Sequence, residues 1–155
     1  MDFTVGLDMS RFDRAVERTH EEFTRGIHES VENAAREGAA EAKRVGQFKD
    51  RSGDLRAKIH AQERQETALT ATWSIVSPQP YSMFVEAGTK PHKIEGNPLL
   101  KFYWPKVGAW VALPSVNHPG GRPFPFMGPA AQKAERVLYR DLVLVREKLR
   151  LIWKR

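Results

Sequence analysis

Residues 10–46, SRFDRAVERTHEEFTRGIHESVENAAREGAAEAKRVG, decide the fold. Apolar side chains at Phe12, Val16, Phe23, Ile27, Val31, Ala35, Ala42 and Val45 recur at helical spacings, which puts them on one face of an α-helix. Glu and Arg crowd the remaining surface, Asp8 or Ser10 stands where a cap belongs, and Gly46 offers a stop. The stretch predicts one helix of about ten turns, loosened at Gly26 and Gly38 because glycine weakens a helix interior. Such a helix outruns a small domain. It must lie along a sheet or project onto a neighbouring subunit.

Outward from it, Gln47–Gly53 reads as a turn, and Ser52 is placed to cap a short helix that carries Leu55 inward. Lys58–Glu63 and Ala68–Val76 predict a hairpin, since Leu69, Ala71, Trp73 and Ile75 alternate with smaller or polar residues. Pro78 and Pro80 end it, and Tyr81–Ala87 predicts a short helix closed by Gly88. Three further strands are expected at His92–Ile94, Leu99–Trp104 and Ala109–Leu113, with a turn over residues 105–108. Asn117–Pro125 is rich in Pro and Gly and reads as a loop. A last helix runs from Pro129 to Leu151, with Ala130, Ala134, Val137, Leu138, Leu142, Val145 and Leu149 on one stripe.

These elements predict an α+β fold: a long N-terminal helix and a C-terminal helix packed on a mostly antiparallel β-sheet. At 155 residues the chain fits a single domain, divided into an arm (1–9), the long helix (10–46), the sheet region (47–128) and the last helix with its basic tail (129–155). Leu55, Trp73, Phe84 and Phe126 are expected in the core. Phe102, Tyr103, Trp104 and Trp110 are too, in preference to stacking on bases.

Composition bounds the chemistry. There is no cysteine, so no disulfide or thiolate site exists, which fits assembly in a reducing cytoplasm. Met1–Gly6 lacks the pattern of a secretion signal, and the longest aliphatic run, Leu142–Val145, is far too short to span a bilayer. No membrane partner is therefore expected. The net charge is +6, and Lys133–Arg155 alone holds eight Lys/Arg against Glu135, Asp141 and Glu147. Arg140, Arg146, Lys148, Arg150, Lys154 and Arg155 are candidates for contact with DNA or an acidic protein, against the alternative of a solvated helix face.

Catalytic signatures are weak. His92, His118 and Glu86 form the best candidate metal cluster, but no His-x-x-x-His or His-Glu-x-x-His spacing occurs. No Gly-x-Ser-x-Gly elbow exposes Ser30, Ser52 or Ser82, and Gly120-Gly121-Arg122 sits between prolines, unlike a phosphate cradle. The reading is of a chain without catalytic residues, metal or cofactor. Glu86 ends a short helix, against the unfavourable end of its dipole, and so needs a partner; Arg51, Arg56 and Arg122 are the candidates.

Three short islands occur in a fixed order: Arg51-Ser52-Gly53-Asp54-Leu55-Arg56, then Tyr81 to Thr89 (YSMFVEAGT), then Pro123-Phe124-Pro125-Phe126-Met127-Gly128-Pro129-Ala130. This order resembles the small tail-component family of long-tailed double-stranded DNA bacteriophages, the gene-ten-like neck or tail-completion proteins. The motif residues are Arg51, Ser52, Gly53, Leu55, Tyr81, Val85, Glu86, Gly88, Thr89, Pro123, Pro125, Phe126 and Pro129. The resemblance implies a structural virion protein at the head–tail junction, in a ring of about six or twelve copies. Its partners would be other neck, tail-tube and terminator proteins, with genomic DNA passing through the channel. Tail termination and head closure are alternatives within the same neck, and a nucleic-acid-binding module is the alternative outside it. The resemblance also shifts Glu86 toward a buried ion pair. In a heterologous ring the acidic-leaning long helix and the basic C-terminal helix are candidates to pair between neighbours.

Overall fold

The computed structural model describes residues 6, 8–50, 52–67 and 70–154. Arg51, Ala68, Leu69, Arg155 and most of the 1–9 arm therefore lie outside the described residues.

Helix α1 (Ser10–Val45) is continuous, about 54 Å long at the ordinary helical rise. Ser10 is its first residue rather than its cap, and the Ser10 amide donates to Asp8 Oδ1 at 3.0 Å. The two internal glycines do not loosen the helix. They are points of close approach. A Cβ on Gly26 would lie 2.7 Å from a Val145 methyl, and one on Gly38 would lie 2.5 Å from Ile75 Cδ1 and 3.0 Å from the Ala130 carbonyl oxygen.

Those neighbours belong largely to α4 (Met127–Ile152), which runs antiparallel along α1. Gly26 meets Val145, Asn33 Nδ2 donates to Asp141 Oδ2 at 2.6 Å, and Lys133 lies 3.8 Å from Glu37. Every residue that α1 buries fully is small, from Ser30 through Ala34, Ala35, Gly38 and Ala39 to Ala42, which lets its neighbours pack close. The pairing of the two oppositely charged helices is thus made within one chain.

At the C-terminal end of α1 the core closes around Ala42, Phe48, Leu55, Ile59, Phe126 and Ala130. Leu55 and Phe126 are each 1% exposed, as expected. Trp73 is half-buried, with the Arg36 guanidinium 6.0 Å from its ring centre. Phe84 is 55% exposed and not a core residue. Its helix, α3 (Ser82–Ala87), turns the next residue, Val85, onto the core instead.

Strands β1 (His60–Thr67) and β2 (Thr70–Val76) form an antiparallel hairpin in register from His60↔Val76 to Thr67↔Thr70, packed on α1. Strands β3 (His92–Trp104) and β4 (Ala109–His118) form a second, from His92↔His118 to Trp104↔Ala109. The expected sheet is therefore two separate antiparallel pairs. β1, HAQERQET, is solvent-exposed along nearly its whole length and offers no apolar face to a further strand.

The two strands expected at 92–94 and 99–104 are one strand whose ladder slips between Glu95 and Leu100, across a cis Asn97–Pro98 bond. β4 runs past Pro114 to His118. Proline is tolerated there because β4 has a partner on one side only. This second hairpin packs chiefly against itself and stands off the helices. Tyr103 and Trp104 are exposed and Trp110 is 76% exposed, which overturns their expected place in the core.

Candidate assembly site

The three sequence islands converge beside the core. Gly53, with φ +79°, opens α2 (Asp54–Lys58), and Ser52 Oγ accepts from the Asp54 amide at 3.3 Å. Leu55 then enters the core while Arg56 turns back to the end of α1. There its guanidinium donates to the carbonyls of Lys43 and Gly46 and, at 3.3 Å, to that of Phe48. It also lies 4.5 Å from the Phe48 ring centre. The last turn of a helix leaves carbonyls without intrahelical partners, and a planar cation with several donors satisfies them. Gly46 is needed there for space: a Cβ would lie 2.2 Å from the Phe48 ring.

Tyr81 lies over this turn, lining one hollow with Ser52, Asp54, Leu55 and Val85. Four residues on, the Val85 carbonyl accepts from the Phe124 amide at 2.9 Å. Glu86 follows, and its Oε2 accepts from the amides of Phe126 at 2.7 Å and Met127 at 3.1 Å. The carboxylate thus caps the N-terminus of α4, the favourable end of that helix's dipole, from 40 residues away. The expected arginine partner is corrected. Arg56 is at α1, Arg122 lies 4.6 Å from the Phe124 ring centre, and Arg51 is outside the described residues.

Gly88, with φ +72°, lets the chain run against the third island, where any Cβ would lie 2.5 Å from the Gly121 carbonyl oxygen and 2.8 Å from the Pro123 nitrogen. Thr89 and Gly121 exchange amide–carbonyl bonds of 2.9 and 3.1 Å. Pro125 is exposed ahead of the buried Phe126, and Pro129 is half-buried in the first turn of α4. The three islands are therefore a stitching system. They hold the end of α1 and the start of α4, with Leu55, Val85 and Phe126 as the apolar contacts between them.

The proposed metal cluster does not assemble. His92 and His118 face one another across the hairpin at 5.1 Å between ring centres, but Glu86 is turned away to α4. Among the described residues no group of three His, Asp or Glu side chains is set to hold a metal ion.

The basic face of α4 is partly neutralised by its own helix: Arg140 pairs with Asp141 at 2.8 Å, and Arg146 and Arg150 reach Glu147 at 3.1 and 3.5 Å. Lys148 borders a hollow with Arg18 and Arg25, and Lys154 is exposed. Asp141 is a titratable group of the seam whose pKa is shifted. The hydrogen bond from Arg140, then that from Asn33, holds its carboxyl below the ordinary value near 3.8. Sequence reading missed Asn33 and Asp141, as it did the His28–Glu66 contact of 2.6 Å joining α1 to β1. A polar residue placed among alanines and glycines of the α1 stripe was the available signal for Asn33.

Among the described residues no helix is long and apolar enough to cross a membrane. The model of a family described as "Bacteriophage HK97-gp10, putative tail-component" matches residues 10–88, which span α1 to the glycine after α3. No curated protein and no solved structure matches the chain.

Proposed function

The chain belongs to the bacteriophage HK97-gp10-like tail-component family, whose members are structural proteins of the virion, and we propose that it acts at the head–tail junction as a ring-forming subunit that completes the tail and lets DNA pass. The observation that supports this is the subunit's shape. The core occupies one end of the α1–α4 pair, while the far end of that pair and the β3–β4 hairpin extend from it with apolar side chains about half exposed or more, including Phe12 (which also touches Trp153 edge-on), Val16 and Phe23 on α1 and Trp110 on the hairpin. Repeated contacts between copies are the simplest use of such extensions.

The test is a phage carrying a stop codon in this reading frame. Filled heads and separate, full-length tails are expected, with joining restored by added protein. Mass measurement of purified necks should give about six or twelve copies. Tails of abnormal length would point to a terminator, and heads that lose their DNA to a stopper. Absence from purified particles would defeat the reading. Nucleic-acid binding is the less supported alternative, because Arg140, Arg146 and Arg150 already have carboxylate partners on their own helix.

A further inference from the structure

We propose that each copy grips the next by laying the α1 N-terminal stripe of one subunit into the apolar groove of its neighbour's β3–β4 hairpin. The inference rests on the ring reading and names the two surfaces that make it.

The groove is one face of the hairpin. Pairing in register puts Ile94 opposite Val116, Leu100 opposite Leu113 and Phe102 opposite Val111, with Trp104 at the tip. Two adjoining hollows of about 630 and 680 Å³ run along this face. They share Ile94 and His118, and Phe84 of α3 lines the inner one. Among the described residues no helix packs along it, and Phe84 of α3 only borders its inner end. A two-stranded hairpin is marginal by itself in water and gains stability when its apolar face is covered. From Ile94 to Trp104 the face is about 30 Å long at the rise of a strand, enough for several turns of helix.

The rim of the groove is basic. Lys93 is matched by Glu95 at 3.0 Å, but Lys90, Lys101 and Lys106 have no carboxylate partner among the described residues. The occupant should therefore be an apolar ridge flanked by acids, and this chain carries one. On the distal half of α1, Phe12, Val16 and Phe23 are 43–50% exposed, and the helical repeat sets them along one line. Asp13 and Glu17, four apart, lie beside the Phe12–Val16 part of this line, and neither is in an ion pair among the described residues. Most arginines of this segment, Arg14, Arg18 and Arg25, fall on the far side. Ridge and groove are at different ends of the subunit, so the contact is heterologous and each copy leaves one of each free for the next.

Two single substitutions in the full-length protein test this. Trp104→Lys spoils the groove and Val16→Lys spoils the ridge; both sites are exposed, so circular dichroism melting should match the unsubstituted protein. By analytical ultracentrifugation the unsubstituted protein should form rings, and each variant alone should stay monomeric, its association weakened about thirtyfold or more. Mixed, the two variants should give a one-to-one dimer that does not grow, since each supplies one intact surface.

A charge exchange supplies the check if either variant folds poorly. Lys101→Glu with Lys106→Glu, and Asp13→Lys with Glu17→Lys, should each weaken assembly at low salt, and all four together should restore it. Rings that persist in both single variants, a mixture with no dimer, or a quadruple variant that stays apart overturn the pairing while leaving the neck reading intact. An unsubstituted protein that stays monomeric overturns the pairing, and its absence from virions overturns the neck reading as well.

Discussion

At the scale of single residues, the motif arginine and the motif glutamate do the same work at opposite helix ends. Arg56 satisfies three carbonyls in and just beyond the last turn of α1, and Glu86 satisfies two amides at the first turn of α4. Arg56→Ala leaves those carbonyls unmatched and uncovers the Phe48 ring, so it should cost about 2–3 kcal/mol in chemical denaturation. Arg56→Lys should recover less than half of that, because one ammonium cannot span the separated carbonyls. Glu86→Ala should cost about 1–2 kcal/mol as a lost cap, and Glu86→Gln less, since an oxygen acceptor remains. A Glu86→Gln cost of 3–5 kcal/mol would instead reveal a stranded buried charge. Sequence reading identified Glu86 as a residue in need of a partner but searched only among cations. Backbone donors carry no residue-type signal, so a cap delivered from 40 residues away is not legible in sequence.

At the scale of elements, helices were easier to read than strands. The periodicity of α1 gave its extent to within a residue, and Gly88 and Pro129 marked the end of α3 and the start of α4. What periodicity could not reveal is which face is covered. The spacing groups Phe12, Val16 and Phe23 with Ala35 and Ala42, yet only the C-terminal half of α1 lies against the core. In the hairpin, alternation predicted a buried face, but among the described residues no helix packs over it and its aromatic tip is exposed. The internal glycines were read by propensity, while their role is space. Gly38→Ala should therefore destabilise by about 1–3 kcal/mol despite alanine's better helix propensity, because the Ala130 carbonyl and Ala134 Cβ, each 3.0 Å away, belong to a packed helix. The same seam gives a pH signature. Asp141 has a depressed folded pKa, so its contribution is complete above the ordinary carboxylate value and lost as pH falls through the lower folded one. Asp141→Asn should flatten the acid limb of the melting curve below about pH 4, with little change in slope near neutrality.

For the whole molecule, stability should be graded from one end to the other. The residues with the least exposure, Ala42, Ile59, Ala130, Leu55 and Phe126, all gather where α1 ends and α4 begins, and the three motif islands lock that region. Away from it, the α1–α4 pair is two helices thick, held at its tip by an edge-on Phe12–Trp153 contact at 5.8 Å, and the β3–β4 hairpin has only its own two strands. Opening free energy follows local packing, so these extensions should open long before the core does. In hydrogen exchange on the dissociated protein, amides of β3–β4 should exchange first and the N-terminal third of α1 next, while the Gly38–Val45 segment and the first turns of α4 stay protected to near the global unfolding limit. Assembly should reverse the order at the extensions only, slowing β3–β4 and residues 12–23 together because each is the other's cover in the adjacent copy. Slowing of the hairpin without slowing of α1 would mean that a different surface covers it. Uniform protection in the dissociated protein would mean that the hairpin does not depend on a neighbour at all.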